Sequence, residues 1–296
     1  MATVAVVTDT NSGILPAQAK KLGVYTVSMP FYIDGKLYME GEDLTPEEFY
    51  KFQEADADIK TSMPSVGVVT ALWEELLQTY DEVVYIPMSS GLSSSCRTAT
   101  AMAEEDFPGK VFVVDNQRIS VLQRHTVLEA KAMADAGFTG EQIRAKLEET
   151  KLDADIYIAV DTLKYLRRGG RVTPAAAALG TVLNIKPVLR IKGEKLDAHT
   201  KVRGKIAAKQ AMMRALKEAI ANDPRLYSLD KEGRLAVGVA YTGNREEAEA
   251  LAKEMKAEFP GHLFYMDELA LSVACHVGRG ALGVGCYIDM TKDFKK

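Results

Sequence analysis

Short apolar runs alternate with amphipathic segments over the first half of the chain. Five apolar runs predict strands, at residues 4–8, 24–29, 83–88, 111–114 and 156–160. Several of them are apolar throughout, which is typical of parallel strands that are buried on both faces of a sheet.

Helix-capping residues lie between those runs. The predicted N-caps are Thr45, Ser65, Ser93 and Thr139. Thr45 and Thr139 are each followed three residues later by Glu or Gln, which completes a capping box. We expect these four helices to end near residues 54, 80, 105 and 149. Strands and helices that alternate in this way predict a doubly wound, mostly parallel α/β layer.

The second half of the chain has a different pattern, which predicts a second α/β domain with a mixed sheet. Its predicted elements are a hairpin at 187–192 and 195–202, a helix at 204–221, a strand at 235–241, a helix at 245–258 and a strand at 263–266. We place the domain boundary near Asp161, so that the two predicted domains are residues 1–160 and 161–296.

Residues 169–189 combine a glycine turn with a run of small residues. A Gly-Gly-Arg turn ends at Arg171, and Thr173 and Pro174 then suit the N-cap and the first position of a short helix. The four alanines that follow allow a backbone or an apolar ligand to come close.

Composition and charge narrow the class of protein. Hydrophobic residues make up 47% and charged residues 26% of 296 residues, which is ordinary for a globular protein, and the formal net charge is −4. No basic block indicates nucleic acid, and the mild acidity disfavours anionic lipid surfaces. No stretch approaches the ~20 apolar residues of a membrane span, so we expect no stable membrane insertion.

The three cysteines, Cys96, Cys275 and Cys286, predict neither a disulfide framework nor a zinc site. Their number is odd and none forms a Cys-x-x-Cys pair. The apolar N-terminal run is too short for a signal peptide and is interpreted as a strand. We therefore expect reduced thiols in a cytoplasmic protein.

Two hydroxyl-rich segments are candidates for binding an anion. Residues 61–65 read Thr-Ser-Met-Pro-Ser, and residues 89–95 read Ser-Ser-Gly-Leu-Ser-Ser-Ser after an apolar strand. Backbone N–H groups at a helix start bind anions, and serine hydroxyls add donors that suit a small carboxylate or phosphate. Simple helix capping explains the same residues. Neither segment matches a phosphate-binding P-loop or a dinucleotide fingerprint.

Isolated polar residues give weaker signals. Asp9 ends the first strand in a position that could line a ligand crevice, yet no further ligands for a metal are visible near it. His276 lies in a glycine-rich stretch, where it is either a structural histidine or close to a ligand. Arg171 and Arg203 could meet a phosphate or a carboxylate, or remain solvated surface charges.

Seven segments, taken in order and spacing, resemble the DegV family over almost the whole chain. They are Thr8-Asp9-Thr10, residues 61–65, residues 89–93, Val114-Asp115, residues 163–171, residues 183–189 and residues 276–283. The resemblance implies a two-domain α/β protein that buries one long-chain fatty acid, of the palmitate, stearate or oleate type, between its domains. It also implies that the protein presents the carboxylate to a fatty acid kinase, whose acyl phosphate product enters phospholipid synthesis.

The resemblance also implies a set of site residues. The carboxylate is expected against Thr61 and Ser93, with Ser62 and the amides near Ser94 close by. His276 and Arg203 match family positions near the head group that bear on phosphorylation or kinase docking, and Arg171 matches the Gly-Gly-Arg motif. No catalytic residue, metal or cofactor is implied beyond the bound acid. The chain departs from the usual family pattern at Thr10, at Ser94-Ser95, at Asn116 and at Arg279.

Two other functions remain open at this stage. Ser93 and His276, with Asp9 or Asp115 to orient the histidine, could form a hydrolase triad acting on acyl esters. The sequence around Ser93 lacks the Gly-x-Ser-x-Gly elbow of such enzymes. A subunit of a kinase for small hydroxylated substrates is the other possibility, by analogy of fold alone.

Overall fold

A computed structural model of the protein describes residues 2–179 and 184–294. The strands are β1 (Val4–Asp9), β2 (Tyr25–Val27), β3 (Pro30–Ile33), β4 (Lys36–Met39), β5 (Ile59–Thr61), β6 (Glu82–Ile86), β7 (Val111–Val113), β8 (Ala154–Ala159), β9 (Ile185–Ile191), β10 (Asp197–Arg203), β11 (Leu235–Tyr241), β12 (Leu263–Glu268) and β13 (Leu282–Ile288). The helices are α1 (Pro16–Leu22), α2 (Pro46–Glu54), α3 (Val66–Leu76), α4 (Ser95–Asp106), α5 (Ser120–Asp135), α6 (Gly140–Glu149), α7 (Lys164–Gly169), α8 (Pro174–Ala177), α9 (Lys205–Asn222), α10 (Pro224–Lys231), α11 (Arg245–Glu258) and α12 (Leu271–Val277).

The first sheet is parallel throughout, with strand order β2-β1-β6-β7. Its two faces are covered by different helices. Trp73 of α3 and Ala99 of α4 pack on one face, whereas Val127 of α5 and Ile143 of α6 pack in the core on the other. Burial on both faces explains why these strands are apolar throughout, and it confirms the predicted doubly wound layer.

The second sheet is mixed, with strand order β10-β9-β8-β13-β11-β12. β11 and β12 run parallel, and the other neighbouring pairs are antiparallel. α9 and α11 supply core residues such as Met212 and Leu251 to this part of the molecule. This confirms the mixed sheet predicted for the second half.

A small antiparallel sheet of order β4-β3-β5 lies beside α2. Its residue Phe31 and Phe49 of α2 share a buried cluster with Leu271 and Ala274 of α12. The small sheet therefore supports the short helix α12.

The change from the first sheet to the second occurs between β7 and β8. β8 precedes the predicted boundary near Asp161, yet it pairs with β9 and β13 in the second sheet. α5 packs against β1 of the first sheet and β11 of the second. The division at residues 160 and 161 stays a prediction.

The helix starts test the predicted caps. Capping boxes at Thr45 and Thr139 are confirmed, and Ser65 caps α3, which ends at Leu76 rather than near residue 80. The prediction for Ser93 was wrong, because α4 begins at Ser95 with Ser94 at the N-cap. The Ser93 hydroxyl still accepts a hydrogen bond from the backbone N–H of Ser95 at 3.2 Å.

In the second half, the hairpin of β9 and β10, helix α9, strand β11 and helix α11 follow the predicted pattern closely. Thr173 caps α8, with Pro174 at the first helical position. Leu183, the first residue of the predicted family segment 183–189, lies outside the described residues. The pattern did not predict the small sheet, strand β13 or the helices α1, α5, α7, α10 and α12. Within the described ranges, no helix is long and apolar enough to cross a membrane.

Candidate functional site

A cavity of about 360 Å³ lies between the first sheet and one face of the second. From the first half come Asn11 after β1, Met88 after β6 and the residues that begin α5. The second half contributes residues of β8, β9, β11 and β13, together with α12. This is the volume range of small-molecule sites, and the carboxyl ends of parallel strands are a usual place for one.

Most of the cavity wall is apolar. Its side chains include Met29, Leu92, Ile119, Leu122, Ile156, Ile158, Ile191, Leu269 and Val273. The face of the second sheet adds three glycines, Gly238, Gly283 and Gly285. A wall of this kind suits a ligand with a long apolar part.

Polar side chains gather at one end of the cavity, which we call the polar end. It contains Thr61, Ser62, Ser93, Ser94, Arg171 and His276, six of the seven predicted site residues. Ser62 and Ser94 are exposed, whereas the other four are partly buried. The exposed serines mark this end as the side where the cavity meets solvent.

A hydrogen bond of 3.0 Å joins Thr61 Oγ1 to His276 Nε2 and connects β5 with α12 across the polar end. The other side of the imidazole lies directly on Gly169. A Cβ atom added to Gly169 would be 2.1 Å from His276 Nδ1, so a side chain at this position would displace the ring. The Gly-Gly-Arg motif therefore has a specific role here. Gly169 makes room for His276, and Gly170, with φ of +69°, ends α7 in the left-handed region.

Burial lowers the pKa of His276 to about 4, and the nearby positive charge of Arg171 acts in the same direction. The imidazole is therefore neutral at pH 7. Arg171 itself donates to the carbonyl oxygens of Leu92 (3.2 Å) and Gly169 (2.5 Å). Its guanidinium thereby ties the serine-rich loop to the glycine turn.

The loop of residues 89–93 is held from both halves of the molecule. Asp115 accepts hydrogen bonds from the backbone N–H (3.1 Å) and the hydroxyl (2.6 Å) of Ser90, which explains the Val-Asp motif. The Ser89 hydroxyl donates to the carbonyl oxygen of Gly193 in the β9–β10 turn at 2.9 Å. A Cβ on Gly91 would lie 2.7 Å from Glu194 Cα, so this contact requires glycine.

Asp9 is a buried structural carboxylate. It accepts hydrogen bonds from the backbone N–H groups of Met88 (2.8 Å) and Asn11 (3.1 Å) and from the Gln123 side chain (3.0 Å). Burial raises the pKa of Asp9, and these three donors oppose that effect. Asp9 thereby joins the ends of β1 and β6 to α5 and fixes the cavity wall.

The described contacts do not assemble a hydrolase triad. The Ser93 hydroxyl hydrogen-bonds with that of Ser95 at 2.9 Å, and His276 Nε2 is occupied by Thr61. Asp9 and Asp115 are committed to the backbone and side-chain partners given above. Among residues 2–179 and 184–294, no cluster of His, Cys, Asp and Glu side chains could hold a metal ion.

Two arginines lie away from the polar end. Arg203 is exposed at the last position of β10, outside the described residues that line the cavity. Arg279 pairs with Glu54 and lies over the ring of Tyr50, 5.5 Å from its centroid. The departure from the family pattern at Arg279 therefore places its charge beside Glu54, on the surface.

Sequence reasoning missed several residues that build the site. Glu40 and Gln53 hold the two ends of α12, and Ser272 on that helix donates to Asn11 at 2.9 Å inside the cavity wall. Glu40 and Gln53 gave no local signal, because their partners are more than 200 positions away in the sequence. The glycine-rich stretch that includes Gly283 and Gly285 of β13 did give a sequence signal. It indicated that another group comes close to the backbone there, but it did not show which group.

Comparison with known proteins gives a consistent result. The model of the DegV family, described as uncharacterised proteins, matches residues 3–289. A DegV domain-containing protein from Deinococcus radiodurans is 32% identical over 287 residues, which cover 95% of this chain and 97% of the relative.

Two solved structures are similar over nearly the whole chain. A DegV family protein from Thermus thermophilus, solved for its fatty acid binding, has a TM-score of 0.85 and 32% identity, covering 97% of this chain and 100% of that one. DegV of Bacillus subtilis, described as a fatty acid binding protein, has a TM-score of 0.84 and 27% identity, covering 98% and 100%. On the family match and the shared fold, this chain belongs to the DegV family.

Proposed function

We propose that this protein binds one long-chain fatty acid in the cavity and presents its carboxylate at the polar end to a partner fatty acid kinase. The observation that carries the proposal is a mostly apolar cavity wall combined with the hydroxyl-rich polar end. An amphipathic acid with one charged end matches this combination. Fatty acid binding by similar DegV proteins supports it.

The two parts of the cavity contribute unequally to affinity. Burying about fourteen methylene groups at ~0.8 kcal/mol each gives an upper-bound transfer free energy of about 11 kcal/mol. A carboxylate near a helix N-terminus contributes about 0.3–2 kcal/mol. The tail therefore provides most of the affinity, and the polar end determines which end of the acid faces solvent.

Neutral donors at the polar end suit a carboxylate that must react. Thr61 and Ser93 offer hydroxyls, and His276 is neutral because burial lowers its pKa to about 4. A bidentate arginine would hold both carboxylate oxygens in strong charge-assisted bonds. Arg171 instead donates to two backbone carbonyl oxygens, which leaves the carboxylate oxygens available to accept a phosphoryl group.

Native mass spectrometry of the purified protein, followed by lipid extraction, tests the proposal. We expect one fatty acid of the palmitate, stearate or oleate type per chain, or uptake of one such acid when it is added. Replacing Thr61 and Ser93 with Ala is expected to lower the affinity for added fatty acid, measured by titration, while the protein stays folded. Thr79→Ala is a matched control, since Thr79 is an exposed threonine on the surface outside the cavity lining.

Each result has a distinct meaning. A wild-type protein that carries no fatty acid and takes up none would contradict the binding function itself. Unchanged affinity in the double variant would instead show that the carboxylate binds elsewhere in the cavity. Hydrolysis of acyl esters that depends on Ser93 would favour the enzyme alternative.

A further inference from the structure

The face of the second sheet that borders the cavity lacks a side chain at the second residue of β13. Gly283 pairs with Ile158 of β8 on one side and with Ala240 of β11 on the other, and all three residues line the cavity. The nearest atoms to a Cβ built on Gly283 are in the sheet itself, at 3.5 Å or more. The space above Gly283 is therefore open and belongs to the cavity.

The next position on the same face of β13 is different. Alternate residues of a strand face the same side, so Gly285 lies about 7 Å further along that face. A Cβ on Gly285 would be 3.0 Å from Leu122 Cδ1, and a Cβ on its neighbour Gly238 would be 3.1 Å from Val121 Cγ2. Two aliphatic side chains from the first turn of α5 thus occupy the space that these glycines leave free.

The order of these positions gives the cavity a direction. β13 follows the loop after α12, the helix that carries His276. A chain that starts at the polar end therefore passes Gly283 first and then meets Leu122 and Val121 above Gly285 and Gly238. The open position lies near the head group, and the filled positions lie beyond it.

We propose that Leu122, which lies over Gly285, forms the end wall of the cavity and sets the length of acyl chain that the protein accepts. The acyl chain passes over Gly283, and we call this open part of the cavity the acyl path. This inference rests on the proposed fatty acid binding and adds the residues that select the ligand. The glycines allow the acyl chain to lie directly on the sheet. The α5 side chains determine where it stops.

A series of saturated acids from ten to twenty-two carbons tests the inference. Each further buried methylene raises affinity about fourfold until the chain reaches the end wall, after which affinity stops rising or falls. Leu122→Ala is expected to move this break to longer acids. Leu122→Val, a smaller truncation, is expected to move the break in the same direction and protects the test if the alanine variant folds poorly.

Leu147→Ala is the matched control for Leu122→Ala. Both leucines are 2% exposed, but Leu147 is a core residue of α6 and lies outside the described cavity lining. The control should lose stability and keep the break at the wild-type length.

A second pair compares Gly283→Ala, which adds a methyl group to the acyl path, with Gly67→Ala, which adds one where no atom lies within 4 Å. We expect the Gly283 variant to lose about tenfold or more in affinity for long acids and the Gly67 variant to lose none.

The outcomes separate this inference from the proposed function. A wild-type protein that binds the series while both Leu122 variants keep the same break would overturn the end wall and leave fatty acid binding intact. Unchanged affinity in Gly283→Ala would overturn the acyl path over the glycines. Absence of binding to every acid in the wild type would overturn the proposed function instead.

Discussion

At the scale of single residues, His276 shows how a neutral polar group is maintained inside a mostly apolar cavity. The Thr61 hydroxyl hydrogen-bonds with His276 Nε2, Gly169 leaves room for the imidazole ring, and Arg171 adds a positive charge nearby. Burial and that charge both disfavour the imidazolium, so they lower the pKa of His276 to about 4.

A bound carboxylate should reverse part of that effect. A negative charge close to His276 favours the imidazolium, so we expect the pKa of His276 to be higher in the loaded protein than in the empty one. Between the two pKa values, ligand binding should be accompanied by proton uptake. NMR titration of the histidine ring signals with and without bound fatty acid measures this. The ring signals of His262, which hydrogen-bonds with Asp230 at 2.9 Å and lies outside the described cavity lining, serve as a reference and should be unchanged by loading.

An unchanged His276 pKa on loading would place the carboxylate away from this ring. The same titration would then contradict the assignment of the polar end, even if the protein binds fatty acid. Unchanged His262 ring signals between the two samples would exclude a general change in the fold.

The sequence predicted the polar end through a family resemblance and left its geometry open. Motif order indicated that Thr61, Ser93 and His276 belong to one site. The spacing could not show that Arg279 pairs with Glu54, because the two residues are 225 positions apart. Nor could a local cap signal show that α4 begins two residues after Ser93, since any of three consecutive serines could have capped it.

At the scale of elements, α12 is the helix on which the site depends, and it has no local cap. Ala270 stands at its N-cap and offers no side-chain hydrogen bond. The buried carboxylate of Glu40 instead accepts from the backbone N–H groups of Leu271 (2.9 Å) and Ser272 (2.8 Å). Gln53 donates to the carbonyl oxygen of Ala274 at 3.0 Å near the other end. A helix capped from 231 positions away gives no sequence signal, which explains why the pattern missed it.

Removing this distant cap should therefore weaken both the fold and the site. Glu40→Ala leaves two buried N–H groups without acceptors, so we expect the free energy of unfolding to fall by about 2–4 kcal/mol. Fatty acid affinity should fall as well, because α12 positions His276. Glu40→Gln restores an acceptor and should recover part of both losses. Denaturant unfolding and a binding titration on the same samples measure the two effects.

The control for this element is Glu47→Ala, which removes an exposed carboxylate from α2 without touching α12. It should change the free energy of unfolding by less than about 1 kcal/mol. If Glu40→Ala lowers stability but leaves fatty acid affinity unchanged, Glu40 supports the fold alone and does not position the site.

Burial raises the pKa of Glu40, so the difference in stability between the wild type and Glu40→Gln should depend on pH. As the pH falls, the folded protein protonates this carboxyl and presents a neutral acceptor, as glutamine does. The folded state binds this proton more tightly than the unfolded chain does, so the free energy of unfolding of the wild type rises as the pH falls through the raised pKa, whereas Glu40→Gln gains nothing at this position. The stability advantage of the wild type over Glu40→Gln, measured by denaturant unfolding, should therefore widen toward acid pH.

At the scale of the whole molecule, the cavity exists because two sheets with different connections face each other. The alternation of strands and helices predicted the doubly wound first half, and the hairpin pattern predicted the mixed second sheet. Where the chain changes sheet could not be read locally, since β8 has the same apolar character as the strands before it. Its neighbours in the second sheet, β9 and β13, come later in the sequence.

The exposed position of Arg203 gives the kinase partnership a test that is separate from binding. Arg203 and Lys201 lie on the same side of β10, both exposed, two residues apart. If Arg203 contacts a kinase that acts on the presented carboxylate, Arg203→Ala should leave fatty acid occupancy unchanged and lower the rate of acyl phosphate formation about tenfold or more, the effect of losing one well-placed ionic contact. Lys201→Ala, which removes a charge of the same sign from the same strand, should have a much smaller effect.

The assay uses the loaded protein, ATP and a purified fatty acid kinase, with native mass spectrometry to confirm equal loading. Equal losses in the two variants would indicate that net charge rather than Arg203 guides the encounter. Full activity in both variants would place the kinase contact on another surface.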